Sequence, residues 1–461
     1  MNSMVKRGIR GLGAVSAVAS LALGASAQDA SAVGAYVDNS YLFLIGGLIV
    51  MFMAAGFCML EAGLVRKKNA AMQSMKNVAL FSVAGIMFWL VGYNMAYPGS
   101  TIAGWVGIPA FIWSPEESLD TGYAASSDWF FQMVFVATAA SIVSGTVAER
   151  VKLWPFLIFT AVLTAFIYPI VASWEWGGGW LNTVGNDGFS DFAGSTIVHS
   201  VGGWAALTGA LILGPRLGKY KKDGTVNPIP GSNLPLATLG TFVLWFGWFG
   251  FNGGSVLAMN SAQAVTTMST VFMNTNLAAA AGCVAAMGYA TWRYGKPDLT
   301  IVLNGALAGL VSITAGPDIA NPLFAILIGA IGGVLCTIAI PLFDKFRIDD
   351  VVGALSVHLV AGIWGTLAVG IFASGKDGGG YTISFMSQLI GVVSAAVFCV
   401  VTASIIFLVI KAVIGLRVSE DEERRGLDIS EQVPNGMLLC VTEMNSQEDI
   451  DALVAALGEF K

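Results

Sequence analysis

The sequence predicts an all-α polytopic membrane protein: eleven transmembrane helices in two inverted five-helix repeats, plus a long last helix. Three observations predict it. Hydrophobic residues fill 56% of the 461 positions and charged residues only 11%, with a mean hydropathy of +0.73, whereas a soluble domain keeps about a quarter of its residues charged. Apolar runs of about 20 residues, the length that crosses a bilayer core, recur along the chain. The chain's 2 histidines lie in stretches that can be laid over each other. Asp191 and Asp350 stand eight residues before His199 and His358, Gly194 and Gly353 five before, Val198 and Val357 one before, Gly203 and Gly362 four after. A duplicated half-unit with one histidine per copy accounts for that match.

The elements follow in order. Lys6, Arg7 and Arg10 precede a short apolar run from Gly11 to Gly24, and Ala25-Ser26-Ala27 fits a cleavage site. Residues 1–27 are therefore expected to be a cleaved signal peptide, the alternative being a first membrane anchor. The membrane domain is expected over 28–415, with spans near 41–65, 74–96, 126–148, 153–173, 192–214, 233–256, 264–292, 299–316, 321–343, 351–373 and 383–415. Arg66, Lys67, Lys68 and Lys76 flank the first connection. Arg150 and Lys152, then Arg216, Lys219, Lys221 and Lys222, then Arg293 and Lys296, then Lys345 and Arg347 mark alternate later ones. Positive charge marks the cytoplasmic side, so the amino terminus is expected outside and the carboxyl terminus inside, with Lys376 the one clear exception. Spacings such as Gly305-x-x-x-Gly309 and Gly329-x-x-x-Gly333 are packing signals between helices in lipid. Tryptophans such as Trp174, Trp176 and Trp180, near the ends of spans, are more often boundary-belt residues than ligand contacts. After Leu416 the composition turns charged, and 416–461 reads as a cytoplasmic tail, regulatory or simply solvated, with a short helix expected over 444–461.

Enzyme classes find no support: there is no Walker loop, no HExxH, no serine elbow and no dinucleotide fingerprint. The five cysteines are scattered, with no CxxC metal site. No cofactor, metal or nucleic acid is implied, and the partner implied by composition is the lipid bilayer. What remains is the pair of intramembrane histidines and Asp191. Ionisable groups in a membrane segment are costly and point to a transport path or proton relay. Inverted repeats place such groups near the midplane at the repeat interface.

Asp191-Phe-Ala-Gly-Ser-Thr-Ile-Val-His199 resembles the signature of the ammonium transporter family, the microbial and plant relatives of the Rhesus glycoproteins. Met59-Leu-Glu61-Ala-Gly63, Phe131-Gln132-x-x-Phe135, Ala148-Glu149-Arg150, Trp176-Gly-Gly-Gly, Trp248-Phe-Gly-Phe251-Asn252-x-Gly254-Ser255 and Gly426-Leu-Asp428-Ile-Ser430-Glu431 are similar to family stretches and fall in the family's order. The resemblance spans about residues 35–431. It implies an eleven-helix protomer in a homotrimer in the cell membrane, conducting ammonium or ammonia through one pore per subunit. It implies an external recruitment site of Trp176, Ser255, Phe135 and the Ala193 carbonyl, and a gate of stacked Phe135 and Phe251. It further implies a pore with His199, His358 and Trp248, and Asp191 ordering the site. It also implies a PII-type signalling partner at the tail. Asp191 has a plainer reading as a helix cap. One departure stands out: many family members carry an aspartate five residues before the second histidine, where this chain has Gly353.

Two other functions compete. An ammonium sensor would bind and move little; no signalling domain is appended, which favours transport. Two membrane histidines could instead ligate a b-type haem.

Overall fold

A computed structural model describes residues 4–99, 101–102, 104–107, 110–186, 188–372, 383–431 and 446–459. The fold is polytopic and helical. The chain opens as one helix, Met4–Leu64, whose stretch α1 (Ser31–Leu64) is long and apolar enough to span a membrane. It is followed by α2 (Lys67–Ala96), α3 (Ala125–Thr146), α4 (Leu153–Gly185), α5 (Ser195–Leu213), α6 (Leu234–Gly254), α7 (Ala262–Tyr294), α8 (Leu299–Ile313), α9 (Pro322–Lys345), α10 (Leu355–Phe372) and α11 (Phe385–Val413). Among the described residues 10 of these are long and apolar enough to cross. The α8 helix, with 15 residues, reaches only about 22 Å at 1.5 Å per residue. The structure thus carries ten full-length spans where the sequence predicts eleven, the remaining predicted span being the short α8. All of the described cysteines are free thiols, and Cys440 lies outside the described residues.

Local sequence explains where these helices begin. Asn233, Ser261, Asp298, Asn321 and Ser384 each stand just ahead of a helix and accept a backbone N–H of its first turn, as good N-caps do. Pro at the first turn of α6 and of α9 fits the same position. Small residues then let the helices touch. Gly329 and Gly333 of α9 sit against backbone of Ala278 and Gly282 on α7, and Gly282 against Gly305 of α8, where a Cβ would collide with main chain. The spacings seen in the sequence are these crossings.

The two ends of the bundle differ. At the tryptophan-rich end a two-stranded hairpin, β1 (Thr101–Ile102) and β2 (Val106–Gly107), carries Trp105. Trp105 stacks on Trp180 at 4.2 Å, and its carbonyl accepts the Trp174 indole N–H at 2.7 Å. At the basic end, charges are paired. The Arg216 guanidinium grips both oxygens of Asp349 at 2.8 and 2.9 Å. Arg66 binds Glu149. The buried Arg150 donates to the carbonyls of Thr146, Ala148, Gly214 and Asp349. Burial works against charge on Asp349, yet the Arg216 guanidinium holds its carboxyl well below the usual range.

The first part of the tail is strapped to this end. α12 (Glu420–Arg425) opens on a capping box of Ser419 and Glu422, and α13 (Leu427–Ser430) follows. Asp428 accepts the Met72 amide at 2.7 Å, Glu423 takes the Leu217 amide and the Arg417 guanidinium, and Glu431 takes the Leu153 amide at 3.2 Å. The solvated reading therefore fails up to Glu431. The helix expected over 444–461 is α14 (Gln447–Glu459), and residues 432–445 lie outside the described residues.

Candidate functional site

Both histidines sit on short π-helical turns, Ser195–Ser200 and Leu355–Val360, at the starts of α5 and α10. A π turn adds a residue per turn and is frequent at functional sites. Each turn is preceded by a glycine in the left-handed region, Gly194 at φ 107° and Gly353 at φ 81°, and each has a carboxylate over its amides. Asp191 is fully buried. Its Oδ1 accepts the amides of Gly194 (3.1 Å) and Ser195 (2.7 Å), and its Oδ2 those of Thr196 and Ile197, both 2.8 Å. These are the orphan donors of a helix start. Asp350 does the same for Ala354 and Leu355 and also accepts the Thr146 hydroxyl. At the departure noted in the sequence, Gly353 lies against the Asn304 amide in a left-handed backbone conformation, so a side chain there would be strained and would have to displace that amide. The α5 segment leaves the tryptophan-rich end and the α10 segment the basic end, so the two half-units run in opposite directions and meet inside.

Where they meet, His199 Nδ1 and His358 Nδ1 are 3.2 Å apart, with ring planes 19° from parallel. Both rings are buried. Trp248 lies 5.0 Å from His199, nearly parallel, and its indole N–H donates to Thr314 Oγ1 at 2.8 Å. Phe251 lies 5.4 Å from His199 and Phe57 5.8 Å from His358. The walls are thus aromatic and apolar, and His199 Nε2 is buried without a hydrogen-bond partner.

Toward the tryptophan-rich end, Phe251 stacks on Phe135 with centroids 3.9 Å apart and planes at 18°. Above that stack a cavity of about 320 Å³ opens, lined by Phe135, Trp176, Ser255, Phe131, Tyr93 and Asp128 among others. Trp176 meets Phe135 edge-on at 6.2 Å and donates its indole N–H to the Asp191 carbonyl at 2.9 Å, so it is no belt residue. Ser255 Oγ donates to the Phe251 carbonyl at 2.8 Å. Ala193, fully buried, donates its amide to the Thr314 carbonyl at 3.0 Å. Below the histidines a cramped cavity of about 10 Å³ is bounded by His358, Phe57, Asn304 and Glu61. Glu61 accepts Gln73, Asn77 and Ser144 on one oxygen.

The structure therefore brings Trp176, Ser255 and Phe135 around one cavity and sets Phe135, Phe251, Trp248, His199 and His358 in sequence beneath it. Asp191 faces backbone, as a cap. Sequence reading missed Asp128, Tyr93 and Thr314. The signal for Asp128 was present: it precedes Phe135 by seven residues, two turns up the same helix face. Tyr93 and Thr314 reach the site from other helices and carried no spacing to read.

Comparison with known proteins fits this geometry. The profile of the Ammonium Transporter Family matches residues 41–434. Ammonium transporter Amt2 of Archaeoglobus fulgidus is 45% identical over 410 residues, covering 84% of this chain and 86% of the relative. The ammonium transporter of Bacillus subtilis is 35% identical over 407 residues, 85% of this chain and 96% of the relative. Among solved structures, one described as a sensor Amt protein superposes with TM-score 0.79 at 38% identity, over 86% of this chain and 98% of its own. Saccharomyces cerevisiae Mep2 gives 0.72 at 27%, over 84% and 88%. With the match running through nearly every membrane span and through both histidine turns, this chain belongs to the ammonium transporter family.

Proposed function

We propose that this chain recruits ammonium at the tryptophan-rich, external end, removes a proton, and passes ammonia between the histidines to the cytoplasmic side, the proton being either relayed inward along the rings or returned to the external side. The observation that carries this reading is the pair of buried imidazoles 3.2 Å apart beneath a closed aromatic stack. A bare cation in such surroundings costs tens of kcal/mol by Born estimates. Taking a proton from an ammonium-like group of pKa about 10.4 at pH 7 costs only about 4.6 kcal/mol. Deprotonation wins, and potassium and sodium, which have no proton to give, are refused.

Each side chain then has a part. Trp176 and Phe135 offer ring faces to the cation, an attraction of up to about 2 kcal/mol when desolvated. The Ser255 hydroxyl and the Ala193 carbonyl accept its hydrogens. Phe135 and Phe251 must part for passage. His199 Nε2, buried and unpartnered, is the atom that meets the entering molecule, while the Nδ1–Nδ1 contact lets a proton move from one ring to the other. Two charged rings in contact would repel, so the pair holds at most one proton and titrates as a unit. Asp191 keeps the first turn, and with it His199, in place.

The wider reading has the protomers as a homotrimer, residues 1–27 removed as a signal peptide, and the docked tail as the surface met by a PII-type protein. Against haem stands the ring contact itself, which leaves no space for iron between the nitrogens. A sensor would share the binding cavity and differ in flux. Ammonium flux and ammonium-evoked current in liposomes test the transport reading. The parental chain is expected to give a saturable flux selective over potassium, with a current where the proton is relayed. Robust selective current from a folded His199→Ala, His358→Ala double variant would overturn the relay.

A further inference from the structure

We propose that Asp128 is a cation-docking group that holds ammonium, or a small alkylammonium, above the aromatic gate before it reaches Trp176 and Ser255. This rests on the transport reading above and adds a specificity residue to it. Asp128 lies in the first turn of α3 and is 6% exposed, yet it lines the 320 Å³ cavity. Its Oδ2 accepts the Tyr93 hydroxyl at 2.5 Å. Its Oδ1 has only the Gln132 amide at 3.4 Å, beyond the usual range for such a bond. Among the described residues no lysine or arginine pairs with it. A carboxylate has about four lone-pair sites, so most of this one's capacity is uncommitted among the described residues, at a side chain that lines the cavity.

The surroundings suit a small cation. Tyr93 packs on Tyr97 at 5.2 Å, Phe43 on Tyr123 at 5.1 Å, and Phe131 on Phe135 at 4.8 Å. Ring faces and one negative charge around a cavity are the chemistry that holds an ammonium group. Asp128, Phe131 or Gln132, and Phe135 succeed one another on one face of α3, so a cation released by Asp128 travels about 10 Å along that face to the gate. A purely structural Asp128, stabilising the helix start and anchoring Tyr93, would affect folding and leave affinity alone.

The test is methylammonium binding to the purified full-length chain by calorimetry, alongside ammonium current in liposomes. Asp128→Asn is expected to weaken methylammonium binding about tenfold, equivalent to about 1.4 kcal/mol, and to raise half-saturation of the current in parallel at unchanged maximal current. Asp128→Glu should restore both. Tetramethylammonium, with no proton to lose, should inhibit the parent competitively and the Asn variant much less. Equal binding and half-saturation in a folded Asp128→Asn would overturn the proposal. If that variant fails to assemble, Tyr93→Phe decides: it keeps the ring and frees the charge, so binding should hold or tighten, and a tenfold loss overturns the assignment. A parent that binds methylammonium through Asp128 but passes neither current nor ammonia flux would instead overturn the transport reading alone.

Discussion

The cap formed by Asp191 sets up the most direct test of how the histidine site is held. Four backbone amides, from Gly194 to Ile197, end on its two oxygens within 3.1 Å, and the carboxylate is fully buried. Asp191→Asn leaves one accepting oxygen and turns an NH₂ group toward the other two amides. Each buried donor left without a partner costs about 1–3 kcal/mol, so the asparagine costs about 2–6 kcal/mol and alanine, losing all four partners, up to about twice that. The damage is local, because those amides begin the π turn that carries His199. Thermal unfolding of the purified chain should show the melting point of Asp191→Asn lowered by about 5 °C or more. Ammonium current should fall with it, since the ring is no longer held against His358. Asp191→Glu, one methylene too long for the same four bonds, should lie between. If Asp191→Asn melts with the parent while current is lost, Asp191 acts on the cation directly and the capping argument is wrong. If both are unchanged, the amides have other partners.

The remaining expectations concern the gate, the tail and the basic end. Phe251→Ala removes one ring of a stack with centroids 3.9 Å apart. It should alter rate and selectivity while leaving the chain folded, and parental flux with parental selectivity would refute the gate. Asp428→Ala frees the Met72 amide, and truncation before Arg424 removes Asp428 and Glu431. Both should lower transport without dissolving the assembly, as read by size-exclusion chromatography beside liposome current. Asp349 has a folded-state pKa depressed by Arg216. It therefore contributes stability in full above its unfolded value of about 3.9 and loses it as pH falls through the lower folded value. The parent's melting point should drop on acidification below about pH 4, and Asp349→Asn should start lower and show a flatter acid limb.

Much of this was legible in the chain itself. Composition and the recurrence of apolar runs determined that the protein is helical and membrane-spanning, because a bilayer leaves few other ways to satisfy backbone hydrogen bonds. The repeated spacing around His199 and His358 identified the two residues that meet inside, since a duplicated local sequence repeats its local structure. The glycine pairs on α8 and α9 announced close helix crossings. Span lengths were less secure: α8 stops at Ile313, just before Thr314-Ala-Gly-Pro-Asp318, and the carbonyls of Thr314 and Ala315 take amides of the Ala193 loop instead.

Tertiary structure decided what depends on partners far along the chain. No periodicity tells a capping carboxylate from a cation-binding one. Asp191 and Asp128 are both aspartates near helix starts, and only the four amides on one and the open cavity beside the other separate them. Trp176 and Trp180 belong to one run of tryptophans. One turns inward to the Asp191 carbonyl and the other stacks on Trp105, because the loop between α4 and α5 folds over the start of the π turn. The tail looked free by composition, yet its carboxylates find amides at the starts of α2 and α4. Sequence sets which groups a residue brings; the fold sets which unsatisfied donors and acceptors it meets, and burial makes meeting them obligatory.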